Sequence, residues 1–430
     1  MSRVAEQYRQ KLTTPGEAAA LVKSGDHLVF PICAGEPTLL VKALAARKHE
    51  LYGVVVNQQH HLSDAYLDAA SAPHIRVNSW FTSAVSRKAV QNGWADFVPN
   101  YFHEVPKLLR EYWPIHLLGT VVSPMDEHGF FTCSLSVAYT MAALGKAKRV
   151  VVQVNPNAPR THGDCHIHVS QVDSIIECDD PIVELTPPPV TAVEEAIGAH
   201  VAELIEDGAT LQLGIGGIPN AVCRALGNKR DLGIHTEMIT DGMVDLMESG
   251  VVNNSRKRTH VGKTVGTFAL GTRRLYRFMN DNPMIEMHPV DHTNDPYQIG
   301  RNDRVVSINA TMEVDLLGQC CSESLGTEQW SGTGGQVDFV RGANLSEGGR
   351  SFITTAATAK GGAVSRIVPT LRAGAAVTTG KNDVDCVVTA YGVAKLRGQT
   401  ARQRALNLIA VAHPDFRDEL TAAARRMKRI

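Results

Sequence analysis

Glu237 is the residue best placed to do chemistry. It closes the run Leu232-Gly233-Ile234-His235-Thr236-Glu237-Met238, which reads as a short buried strand ahead of the turn signal Thr240-Asp241-Gly242. In open α/β sheets, ligands bind outside the carboxyl ends of the strands. Upstream, Leu211-Gln212-Leu213 runs into Gly214-Ile215-Gly216-Gly217 and then a helix start at Ile218-Pro219-Asn220. Such a loop lets backbone N–H groups approach an anion or a developing oxyanion. A carboxylate beside such a loop is the pair that acyl transfer requires. A second glycine cluster, Ser331-Gly332-Thr333-Gly334-Gly335-Gln336, follows later. The plainer alternatives are a surface or N-cap carboxylate and glycines that only make tight turns.

Other residues suit a phosphate. Ala359-Lys360-Gly361-Gly362, followed by Ser365-Arg366, sets two cations beside flexible backbone. The competing reading is an exposed basic turn. The P-loop pattern G-x-x-x-x-G-K-[ST] is absent, and Gly214-Ile215-Gly216 is not a dinucleotide fingerprint, because position 219, where a third glycine would stand, is proline. No G-x-S-x-G elbow exists for a serine hydrolase. His162, His166 and His168 cluster with Asp164 and Cys165, but without zinc-ligand spacing, so a surface loop is expected there and no metal.

Elements that would position these residues alternate along the chain. A helix is expected over residues 4 to 24, then a strand at Leu28-Val29-Phe30, a loop (Cys33-Ala34-Gly35-Glu36-Pro37), a helix from Thr38 to Arg47, and a strand from Tyr52 to Asn57. That alternation argues for a parallel sheet covered on both faces. The pattern returns. Leu204-Ile205-Glu206-Asp207-Gly208 echoes Leu21-Val22-Lys23-Ser24-Gly25, Pro219 echoes Pro37, and Val305-Val306-Ser307 echoes Val121-Val122-Ser123. A duplicated unit follows: two tandem homologous open-sheet α/β domains. Leu185-Thr186-Pro187-Pro188-Pro189-Val190 is a stiff linker, which puts the domains at 1–186 and 190–430.

With 430 residues, 43% hydrophobic and 20% charged, each half can bury a core. A net charge of −1 gives no overall field for nucleic acid or an anionic membrane. The N-terminal residues are polar, with no signal-peptide pattern, and the eight cysteines are scattered, so a cytoplasmic protein with free thiols is expected.

Together these motifs resemble the acetyl-CoA hydrolase/transferase branch of the class I CoA-transferases, and most closely the 4-hydroxybutyrate CoA-transferase group. The resemblance runs from about Gly25 to the C-terminal helix. It rests on the Ala34–Pro37 loop, Gln212–Pro219, Gly233–Met238, Thr293-Asn294-Asp295-Pro296, Ser331–Asp338, Thr358–Gly361, Ser365–Pro369 and Ala410–Arg417. It implies the CoA-transferase fold and a catalytic glutamate at Glu237. It implies backbone donors near the thioester oxygen at Gly334 and Gly335, and a loop packed beside the glutamate at Gly216 and Gly217. Asn294 would hold the substrate carboxylate, and Lys360 would lie on the CoA side. Coenzyme A is then a substrate, no cofactor is tightly bound, and a homo-oligomer is expected. Ala390 departs from the pattern, since relatives commonly carry glutamate in that segment.

Those residues permit CoA exchange between an acyl-CoA and a short-chain carboxylic acid through a glutamyl-CoA thioester. An acyl-CoA hydrolase on the same scaffold is the alternative, and a non-catalytic CoA-binding protein is a third reading. By the repeat, Asn57-Gln58-Gln59-His60-His61 follow the first domain's strand end, opposite Glu237. Amides and imidazoles there, with histidine able to become cationic near neutral pH, point to an acid with a second polar end. A hydroxy acid or a short dicarboxylate such as succinate or itaconate would fit, with His60 and His61 binding it. Solvated loop histidines are the competing reading.

Overall fold

The computed structural model describes residues 2–430. The chain divides into two compact units. The first runs to Leu185 and takes in Val265–Thr293 and Gln329–Gly332; the second comprises Thr186–Thr264, Asn294–Glu328 and Thr333–Ile430.

A seven-stranded sheet forms the first unit. Its spatial order is Ser174–Glu177, Arg149–Val154, Leu117–Val122, His27–Val29, Val54–Gln59, Ile75–Phe81, Ala95–Phe97, and every pairing is parallel. These strands are near-continuous apolar runs because helices cover both faces. Leu28, Phe30, Leu40, Leu44, Val54, Val56, Ile75 and Val77 belong to one buried cluster. The second unit's sheet runs Gly233–Ile234, Thr210–Leu213, Val305–Ala310, Arg350–Thr354, Cys386–Thr389, Gly392–Lys395, parallel except for the last pair. Its core includes Val314, Leu316, Ile353, Val387 and Leu408.

The duplication is visible in the topology. In each unit the first strand is flanked by the second on one side and by a later strand on the other, followed outward in chain order by two more in the first unit and three in the second. The first unit adds Ile75–Phe81 and Ala95–Phe97 beyond its second strand. One echo is out of register. Leu28 pairs with Leu117, and its counterpart Leu211 pairs with Val306. Leu117 therefore corresponds to Val306, and the likeness of Val121–Ser123 to Val305–Ser307 is fortuitous among β-branched residues.

Two other expectations need correction. The long first helix is broken into Arg3–Gln10 and Pro15–Ala20. Pro15 lacks an N–H and disfavours helix in the residue before it, and Thr14 caps the new start with Glu17 in a capping box. The second strand extends through Gln59 rather than ending at Asn57. The helix Pro414–Arg426 closes the chain. All eight cysteines are free and buried. Among the described residues no helix is long and apolar enough to cross a membrane.

Candidate active site

Glu237 lies just past the short strand Gly233–Ile234 and just before Met238–Ile239. The strand is held on one side by Thr210–Leu213, with Leu211 opposite Ile234. The ladder continues irregularly: His235 N–H donates to the Leu211 carbonyl, and the Thr236 hydroxyl to the Leu213 carbonyl at 3.2 Å. That last bond brings the end of the Gly214–Gly217 loop's parent strand alongside the Glu237 backbone. Gly216, at φ 115°, supplies the left-handed turn that starts the helix Gly217–Ala225. Gly217 serves packing of another kind. A Cβ there would collide with the carboxylate of Glu194, in the first turn of the helix Ala192–Glu203.

Three groups surround the Glu237 carboxylate. The Asn294 amide donates to its Oε2 at 2.7 Å, and the backbone N–H of Gly335 also donates to it. Gly335 is the N-cap of the helix Gln336–Leu345, so the positive end of that helix faces the carboxylate. A Cβ on Gly335 would fall onto Glu237 Oε2 and Asn294 Nδ2, so glycine is required by contact rather than by its backbone angle. Gly334 is different: its φ of 54° is left-handed and makes the turn into the helix. The third group is Asp338, in the helix's first turn and 1% exposed. The sequence motif contains Asp338, yet nothing in its spacing marked it as part of the site.

Burial pushes the Glu237 carboxyl up to about 7, with Asp338's charge adding to the rise and the Asn294 and Gly335 bonds opposing it. The reacting form of a carboxylate nucleophile is the anion. Activity in acyl-CoA attack is therefore expected to rise with pH through an acidic limb near 7, measured as kcat/KM against pH. The same shift predicts a stability effect. Between the ordinary value of 4.5 and about 7, the folded protein holds a proton that the unfolded chain has released. Folding stability therefore falls as pH rises through that window. Glu237→Gln should remove this penalty, stabilising the protein by about 3 kcal/mol above pH 7 and hardly at all below pH 4.5. Urea melts at pH 5 and pH 8 would read the difference.

Other sequence-marked residues lie apart from this cluster or play other parts. Lys360 is exposed at the tip of a hairpin between Thr358–Ala359 and Val364–Ser365, and Lys360, Gly361 and Gly362 all have positive φ. Ala390 sits in the turn between the strands Cys386–Thr389 and Gly392–Lys395. His166 and His168 share a face as their spacing required, beside a buried Ile167. His162 instead faces Asp281 at 3.2 Å.

In the first unit, the Asn57–His61 stretch is not the solvated or cationic surface that its composition suggested. Asn57, Gln58 and Gln59 are strand residues, each about 1% exposed. Asn57 Oδ1 accepts from Asn78 and Trp80, and Gln58 Nε2 donates to Glu36 at 2.6 Å. His60 stacks on Phe81 with ring centroids 4.3 Å apart. Burial pushes His60 down to about 4 and His61 to about 3, so both are neutral at physiological pH. The organising group is Glu36, which sequence reading passed over. Its carboxylate also accepts from the N–H groups of Leu62 and Ser63, both at 2.9 Å, and so pins the segment just beyond the histidines. Burial pushes the Glu36 carboxyl up to about 7 against these bonds, and Glu36→Ala, which leaves the buried donors without an acceptor, is expected to cost about 3 kcal/mol by calorimetry.

A carboxylate held at a helix N-terminus between an amide and a glycine N–H, past a strand end of a duplicated α/β fold, has the surroundings of a nucleophile for acyl transfer. The comparisons agree. Residues 1–187 match the model of the acetyl-CoA hydrolase/transferase N-terminal domain, and residues 271–424 that of the C-terminal domain. The chain belongs to the acetyl-CoA hydrolase/transferase family. It is 74% identical over 425 residues to the succinyl-CoA:cyclohexane-1-carboxylate CoA transferase of Geobacter metallireducens, covering 99% of this chain and 97% of that one. It is 49% identical to the 4-hydroxybutyrate coenzyme A transferase of Clostridium kluyveri, over 96% and 97% of the two chains. The structure of RipA from Yersinia pestis superposes with a TM-score of 0.95 at 41% identity, covering all of both chains.

Proposed function

We propose that this CoA-transferase moves CoA between succinyl-CoA and a carboxylic acid with an alicyclic ring, through a thioester on Glu237. The observation that carries the mechanism is the Glu237 carboxylate held by Asn294 and the Gly335 N–H. The acid pair rests on likeness to the Geobacter metallireducens enzyme.

The chemistry follows from two anions and their oxyanions. The Glu237 carboxylate attacks the thioester carbonyl, and collapse of the tetrahedral adduct breaks the C–S bond. The products are an acyl-glutamyl anhydride and CoA thiolate. The thiolate then attacks the glutamyl carbonyl, releasing the first acid as its carboxylate and leaving glutamyl-CoA. The incoming carboxylate reverses the sequence. Above the acidic limb near 7 no proton need move, because both nucleophiles are then ionised. The tetrahedral oxyanion formed when thiolate adds to the glutamyl carbonyl needs donors already in position, and the Gly335 N–H and the Asn294 amide, which hold the Glu237 carboxylate, would serve it. A pair of this kind serves transfer, provided that water is kept from the anhydride.

Lys360 and its glycines offer a cation on exposed, left-handed backbone suited to a CoA phosphate. Lys360→Ala should raise KM for succinyl-CoA about 5- to 10-fold and leave KM for the acid unchanged. Equal effects on both would count against that assignment. The acid is tested by initial rates with succinyl-CoA against cyclohexane-1-carboxylate, butyrate, 4-hydroxybutyrate and itaconate. Preference for the cyclic acid supports the reading. Preference for itaconate or 4-hydroxybutyrate would replace it with a polar acid while leaving transfer intact.

A further inference from the structure

We infer that Asp338 is a positioning residue that keeps the Asn294 amide turned toward Glu237 after Glu237 has lost its charge. This rests on the reading of Glu237 as the nucleophile. The geometry is a shared donor. Asn294 Nδ2 lies 2.7 Å from Glu237 Oε2 and 3.5 Å from Asp338 Oδ2, with the Asn294 side chain fully buried. One amide nitrogen thus faces two carboxylates. The opposite end, Oδ1, has no hydrogen-bond partner among the described residues. Turned over, the amide would set its oxygen against both acids, which is repulsive while either is ionised.

In the resting enzyme Glu237 enforces this orientation by itself. During turnover it cannot. The anhydride and the glutamyl-CoA thioester are both uncharged at Glu237, so neither holds an N–H donor as strongly as a carboxylate does. Asp338 takes no part in bond making, and its carboxylate persists through every intermediate. It sits three residues beyond Gly335 on the helix whose N-terminus meets Glu237, so one rigid element carries both the backbone donor and the group that orients the amide donor. Of the groups acting on Glu237, Asn294 and Gly335 donate hydrogen bonds and Asp338 brings charge. A purely structural role is the competing account, since an aspartate in a helix's first turn is favourable to any helix.

The two accounts part on which half-reaction suffers. Loading begins from ionised Glu237, whereas discharge begins from the neutral thioester. Rapid-quench single turnovers on Asp338→Asn should show loading by succinyl-CoA slowed less than threefold. Discharge of glutamyl-CoA by the acceptor acid should slow about tenfold or more. On an Asn294→Ser background the same substitution should add nothing, because the residue acts through that amide. Equal slowing of both halves, no slowing, or the full penalty on the Asn294→Ser background would each overturn the inference. Asp338→Ser provides a second variant, and failure of both to fold would assign Asp338 to the fold alone and also overturn it. If wild-type enzyme never loads CoA onto Glu237, it is the nucleophile assignment that fails, and the wild-type control shows this separately.

Discussion

Glu237→Ala is expected to lower kcat by on the order of 10⁴- to 10⁶-fold, the scale on which covalent enzymes lose their nucleophile. Folding should survive, because the substitution removes a group whose burial is itself unfavourable: the carboxyl is pushed up to about 7. KM for acyl-CoA should change little, since the carboxylate meets the substrate at its reacting carbon. Glu237→Asp makes the sharper comparison. It keeps the charge but withdraws the carboxylate by one methylene from the Asn294 amide and the Gly335 N–H, so it should still lose about 10²-fold or more, as misplacement by about 1 Å does. Full activity in Glu237→Ala would remove the covalent mechanism altogether.

Gly335→Ala should produce the second largest effect, about 10²- to 10³-fold in kcat, the usual cost of one oxyanion donor. The cause is steric. A methyl group at that position occupies the space of Glu237 Oε2 and Asn294 Nδ2, so the carboxylate must leave its donors. Gly335 has ordinary φ, so alanine meets no backbone penalty there, and the fold should be retained. Gly334→Ala gives the contrast: its φ of 54° makes the loss one of backbone strain, read as lowered stability. If Gly335→Ala keeps wild-type kcat, the N–H at the head of the helix Gln336–Leu345 has no catalytic part.

Much of this architecture was legible in the chain. Strand-to-helix alternation and the echo of Leu21–Gly25 by Leu204–Gly208 announced a duplicated open-sheet fold, and strand order bears this out. Runs of β-branched residues are interchangeable, so the register at Val305 could not be read. At the site, Glu237 stood out because strand ends obey a local rule. Asn294 and Asp338 could not be joined to it by spacing, since they come from segments far along the chain and meet only through packing. The competing reading of Asn57–His61 as a solvated loop failed for a related reason. Amides and imidazoles look hydrophilic in a sequence, and only the neighbouring strand and Glu36 make them a buried, neutral cluster. Glu36 itself carried a signal that was passed over: a lone carboxylate in a loop directly after a strand.

Covalent capture tests the central claim most directly. The enzyme would be incubated with succinyl-CoA and no acceptor acid, then treated with borohydride or hydroxylamine, digested, and analysed by peptide mass. The peptide containing Glu237 should carry the reduced or hydroxamate product in stoichiometric yield, Glu237→Gln should carry none, and steady-state kinetics should be ping-pong. An unmodified Glu237 in enzyme that still turns over, with sequential kinetics, would contradict the account.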